Sequence, residues 1–135
     1  MTKVLIRYRD PLGTESEQLD SGARVIMEAP KEIGGKGGAF SPTDMIGTSL
    51  ASCMLVMMGR LAAKLKISLE GATADVEKEM AQTTPRRIAK LTIHFRFRVT
   101  PPAEVQKQLE KEAMNCPVHF SLHPDVQQEI QFFWG

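Results

Sequence analysis

Aromatic residues are scarce in this chain, 6% of 135 positions, with a single Trp and a single Tyr. Cysteine is scarcer still, and the only two, Cys53 and Cys116, are too few for the disulfide framework of a small secreted scaffold. Neither sign of charge is in excess: 17 Lys and Arg face 16 Asp and Glu, for a net charge of +1. A large nucleic-acid footprint shows as a basic excess, so no nucleic-acid partner is expected. An unbroken apolar run of the roughly 18 residues needed to cross a bilayer is lacking, so no membrane partner is expected either. Near the start, Val4-Leu5-Ile6 gives way at once to Arg7, which is too short for the apolar core of a signal peptide. The expected location is a reducing cytoplasm, and the expected organisation is one domain over residues 1–135.

Residues 3–9 alternate as a first strand, Asp10-Pro11-Leu12-Gly13 is a turn, and residues 23–29 suit a second strand ended by Pro30. Gly34 to Gly38, with Lys36 at its centre, is the most permissive stretch of backbone. It lacks the G-x-x-x-x-G-K-[ST] phosphate pattern and reads as a mobile loop ahead of a helix. Ser41-Pro42-Thr43-Asp44 is a helix start: Ser41 caps, Pro42 fits the first turn, and Asp44 faces the positive end of the dipole.

From Met45 to Gly59 no residue is charged, and apolar side chains cover nearly the whole circumference. Such a helix is expected to be buried on all sides, more cover than one short chain supplies, which points to a second subunit. Residues 72–80 and 87–99 read as a hairpin, with Leu91, Ile93, Phe95, Phe97 and Val99 on the core face of its second arm. A helix from 102 to about 114 presents Val105, Leu109, Ala113 and Cys116, and Asn115-Cys116-Pro117 breaks it and starts a short third helix. Val126, Gln128, Ile130, Phe132 and Trp134 alternate in a terminal strand. This order gives an α+β fold.

Cys53 has two readings, a small hydrophobe in the core or a reactive thiol. Cys116 precedes a helical Pro, where backbone N–H groups favour the thiolate; the alternative is a cysteine that merely fills a turn. Cys116, His119 and His123 share one helical face, but zinc sites take ligands in tight pairs and no second pair exists. No metal and no cofactor are expected. A Ser-His-Asp triad has no support, because no G-x-S-x-G elbow occurs.

Two segments together resemble the OsmC/Ohr family: Gly34 through Phe40-Ser41-Pro42-Thr43-Asp44-Met45-Ile46 to Ala51-Ser52-Cys53, and Asn115-Cys116-Pro117-Val118. The resemblance implies an OsmC-like fold, with strongly curved antiparallel sheets shared in an intertwined homodimer around two long central helices. It also implies reduction of hydroperoxides, often organic ones, in oxidative stress defence. In that chemistry Cys53 is the peroxidatic thiolate, Cys116 the resolving thiol that closes a disulfide, and a thiol or dithiol the reductant. The apolar lining implied here is Met45, Leu50, Met54, Met57 and Phe120. Family peroxidases carry a Glu ten positions before the first cysteine; Thr43 stands there in this chain, and Asp44 is the neighbouring acid. They also use an Arg to stabilise the thiolate, for which Arg24 is the candidate, with Arg7 and Arg9 as alternatives. Asp44 would orient that cation. The loss of the Glu supports an alternative reading, a non-catalytic dimer that binds a small apolar or thiol ligand.

Overall fold

The computed structural model describes all 135 residues and divides them into two compact units, Met1–Met45 and Ile46–Gly135. The first unit is a meander of β1 (Val4–Arg9), β2 (Gly13–Gln18) and β3 (Arg24–Glu28), followed by a short 3-10 turn at Lys31–Ile33. β1 pairs antiparallel with β2, and β2 with β3. β2 falls where the sequence pattern predicts no strand. Its sequence, GTESEQ, has no apolar alternation, and it is held as a strand by ladders on both sides.

Strand alternation sorts this sheet into two unlike faces. One carries Arg7, Arg9, Glu15, Glu17 and Arg24 beside Leu5 and Ile26, its charges tied by Arg7–Glu17 at 3.2 Å, Arg9–Glu15 at 3.1 Å and Arg24–Glu15 at 3.2 Å. The other carries Val4, Ile6, Tyr8, Val25 and Met27, with Ile6 61% and Tyr8 62% exposed. The loop that follows packs close: a Cβ on Gly35 would sit 1.6 Å from the Ala29 carbonyl oxygen, so only glycine fits there.

The second unit holds the core. Helix α1 (Pro42–Lys64) runs on past the uncharged segment to Lys64, and β4 (Thr73–Met80) and β5 (Ile88–Arg96) form the expected antiparallel hairpin. Helices α2 (Ala103–Met114) and α3 (Pro117–Ser121) then lead to β6 (Gln127–Phe133). β6 lies beside β5 and parallel to it, giving a sheet ordered β4-β5-β6. This corrects the expectation of antiparallel sheets. The chain crosses through α2 and α3 before it returns, and a crossover of that kind brings the strand back in the same direction.

Leu91, Ile93 and Phe95 of β5, with Phe97 just beyond it, form a buried row against Leu50, Met54, Met58 and Ala62 of α1 and Leu109 and Ala113 of α2. Phe97 stacks on Trp134 at 4.1 Å and Phe95 on Phe132 at 5.4 Å between ring centroids. α1 approaches the sheet at Gly47, where a Cβ would meet Val76 at 3.0 Å and Leu91 at 3.2 Å.

Within the single chain α1 is covered on one side only. Gly47, Leu50, Ala51, Met54, Met58 and Ala62 form one buried face, while Ile46, Ser49, Ser52 and Val56 stand exposed, Val56 by 64%. The helix is also longer than its uncharged segment. By length and composition alone it is apolar enough to cross a membrane, a test that the core helix of a soluble protein passes equally, and a third of that stretch is buried here.

Candidate functional site

Ser41 and Asp44 start α1 with a reciprocal cap. The Ser41 N–H donates to Asp44 Oδ2 at 2.9 Å, and the Asp44 N–H donates to Ser41 Oγ at 3.1 Å. This is the capping-box arrangement with Asp in the acid's place, and Ser41 is only 2% exposed. The carboxylate nominated to orient a cation thus has a structural task at the helix start. Arg24, the nominated cation, is exposed on β3 and paired with Glu15, which Arg9 also holds. Arg7, the third candidate, is paired with Glu17.

Cys53 and Cys116 are brought together. Cys53 lies half-buried in α1, Cys116 is fully buried between α2 and α3, and both are free thiols. The Cys116 thiol hydrogen-bonds the Cys53 side chain. Cys116 is the N-cap of α3: its sulfur accepts the His119 backbone N–H at 3.4 Å, and Pro117 opens the helix as expected.

The expectation that this position favours the thiolate is corrected. Burial pushes the Cys116 thiol up, the hydrogen bond with Cys53 adds to the rise, and the backbone N–H groups of His119 and Val118 offset only part of it. Desolvation wins because the sulfur has lost all contact with water, whereas a helix of five residues offers few N–H groups to compensate.

Of the residues expected to line the site, Leu50 and Met54 are fully buried in the core of the chain. Phe120 does stand at an opening, 69% exposed on the wall of a cavity of about 650 Å³ shared with Leu61, Met114, Asn115 and Lys111. His119 and His123 are not on one helix face, because α3 ends at Ser121. His123 instead accepts the Asp125 N–H at 3.0 Å. No group of three or more His, Cys, Asp or Glu is gathered that could hold a metal ion.

Sequence reasoning missed Gln128. It is half-buried on β6 and bonded to His119, next to Cys116. The signal was present: Gln128 is the one amide in the row Val126, Ile130, Phe132, Trp134.

Comparison with known proteins agrees with this architecture. The family model described as OsmC-like protein matches residues 35–131. A structure from Psychrobacter arcticus 273-4, provisionally described as an osmotic stress induced and detoxification response protein, is similar at 40% identity and a TM-score of 0.93, over 98% of this chain and 96% of that one. An organic hydroperoxide resistance protein OsmC from Legionella pneumophila, also described as a predicted redox protein, superposes at a TM-score of 0.76 and 21% identity over 98% of this chain and 96% of its own. One from Elizabethkingia anophelis does so at 0.77 and 12% identity over 100% and 96%. These last two share the fold. No match was found among curated proteins. The chain belongs to the OsmC-like family, and its fold is the α+β OsmC-like fold.

Proposed function

We propose that this chain is a two-cysteine hydroperoxide reductase, acting on organic hydroperoxides in oxidative stress defence and reduced by a thiol or dithiol. The observation that carries the reading is the contact between the two thiols, one half-buried and one fully buried and held protonated. The Cys53 thiolate attacks the O–O bond of the hydroperoxide; its sulfur forms an S–O bond, the O–O bond breaks, and the departing alkoxide takes a proton to leave as alcohol. Cys53 is then a sulfenic acid. Cys116 attacks that sulfur, an S–S bond forms, and water leaves with the Cys116 proton. Two thiol equivalents return the disulfide to the dithiol and are themselves oxidised to a disulfide. A raised thiol pKa suits the resolving role, because Cys116 stays neutral and unreactive until Cys53 is oxidised beside it.

The working form in this proposal is a homodimer, intertwined as in the family's fold, in a reducing compartment such as the cytoplasm. Two uncovered apolar surfaces support it: the Val4, Ile6, Tyr8 and Val25 face of the first sheet and the Ile46 and Val56 face of α1. Apolar surface of this extent on a small chain marks an interaction face. A second reading, an OsmC-like dimer that binds a small apolar or thiol ligand without turnover, is supported by the engagement of Arg24 with Glu15 and of Asp44 with Ser41.

Free-thiol titration before and after one equivalent of cumene hydroperoxide separates the two. The expected result is loss of both thiols per chain, with peptide mapping that finds Cys53 linked to Cys116. Two thiols still free after the oxidant would overturn the catalytic reading.

A further inference from the structure

β6 sends a row of side chains toward the core, and one member of that row is out of character. Gln128 lies among Val126, Ile130, Phe132 and Trp134, all partly buried and packed on the hydrophobic core. A polar side chain in such a row costs stability unless its groups are bonded. Both ends of the Gln128 amide go to one residue. Its Nε2 donates to the His119 carbonyl at 3.4 Å, and its Oε1 lies 2.5 Å from His119 Nδ1. The amide oxygen can only accept, so the imidazole carries its proton on Nδ1 and donates it to Gln128. The backbone N–H of the same His119 donates to the Cys116 sulfur at 3.4 Å.

We propose that Gln128 is a positioning residue for Cys116: its grip on His119 holds the N–H of that residue on the resolving sulfur. α3 has five residues, too few to persist on intrinsic helical preference, so its geometry depends on anchors from outside. Gln128 supplies one from the adjoining strand. The proposal rests on the two-cysteine reading, and it assigns the step that Gln128 serves. As Cys116 attacks the sulfenic acid of Cys53, its S–H proton departs with the leaving hydroxyl as water and negative charge passes through the Cys116 sulfur. A donor fixed on that sulfur stabilises the charge as it develops. The attack of Cys53 on the hydroperoxide does not involve that donor.

The test is single-turnover oxidation of the full chain by cumene hydroperoxide, with a cyclic diketone trap for the sulfenic acid. In Gln128→Leu, oxidation of Cys53 keeps its rate and disulfide closure slows by about tenfold, the scale of one hydrogen bond to a charged group. His119→Phe keeps the backbone N–H and the carbonyl that Gln128 Nε2 reaches but loses the bond to Gln128 Oε1, and slows closure in the same direction by a smaller factor. Gln128→Glu retains an acceptor for Nδ1–H and restores part of the rate. Closure at the wild-type rate in Gln128→Leu, or equal slowing of both steps, overturns the proposal; should that variant not fold, His119→Phe carries the same two outcomes. A second readout does not require turnover. In a Cys53→Ser background Cys116 is the sole cysteine, and its thiolate absorbance can be titrated directly. Adding Gln128→Leu is expected to move that midpoint upward. An unmoved midpoint sinks the positioning role, whereas a moved midpoint in a protein inert to hydroperoxide keeps it and discards the enzymatic reading.

Discussion

Asp44 separates a structural from a catalytic account of the start of α1. In Asp44→Asn the amide oxygen still accepts the Ser41 N–H, and only the negative charge at the helix N-terminus is lost, about 0.5 kcal/mol at such a site. In Asp44→Ala the acceptor goes as well. The Ser41 N–H then loses its 2.9 Å bond within a residue only 2% exposed, and withdrawing a partner from a buried donor costs about 2 kcal/mol. At about 4 °C per kcal/mol for a chain of this length, the melting temperature should fall by about 2 °C in Asp44→Asn and about 10 °C in Asp44→Ala. Both melts belong at one protein concentration, since association shifts apparent stability. The companion assay is the alkylation rate of Cys53 against pH, which should be unchanged in Asp44→Asn. If the Asn variant melts as low as the Ala variant, the charge rather than the cap carries the effect. If the alkylation profile moves upward while the melt holds, Asp44 orients a cation after all and the purely capping account is refuted.

Two further expectations follow from burial. The Cys116 pKa is raised in the folded chain, so the fold binds that proton more tightly than the unfolded chain does. The contribution is complete below the unfolded thiol value of about 8.5 and is lost as pH climbs through the folded value, at no more than about 1.4 kcal/mol per pH unit. Denaturant titrations at pH 8 and pH 10 should therefore show a steeper loss in the wild type than in Cys116→Ala, and parallel losses would exclude the shift. The second concerns assembly. Light scattering at micromolar concentration should give a dimer, and Val56→Glu, which sets a charge on the exposed apolar face of α1, should weaken association at least about a hundredfold. A folded wild-type monomer at that concentration would remove the dimer from the proposal.

The elements of the second unit were largely legible. β5 alternates cleanly from Leu91 to Phe95, α2 repeats Val105, Leu109 and Ala113, and Pro117 announces α3. The orientation of α1 was not legible, because a helix apolar around its whole circumference does not say which side meets the sheet; Gly47 and the positions in step with it settle that only through packing against Val76 and Leu91. β2 escaped because its residues are polar on both faces and its strand geometry comes from its neighbours. That one omission propagated to the site. Without β2 in place, Glu15 and Glu17 had no position, so the partners of Arg7, Arg9 and Arg24 went unseen and the arginines looked available. The two cysteine motifs were plain in the sequence, but the protonation preference of Cys116 was not. Its direction depends on how completely water is excluded, a property of the packed chain and not of the neighbouring residues.

The first forty-five residues contain one buried side chain, that of Ser41, and no buried apolar one. Their three strands are joined by hydrogen bonds and a ladder of ion pairs near the surface, interactions that contribute little against chain entropy when nothing is desolvated beneath them. A sheet in that condition has borrowed order. Its amide protons should exchange at a rate set by whatever covers Ile6 and Tyr8, and should slow as protein concentration rises, while those of β5 exchange at a rate set by the core of the chain itself. Limited proteolysis of a dilute sample should accordingly begin in this sheet, leaving the unit that carries both cysteines still folded.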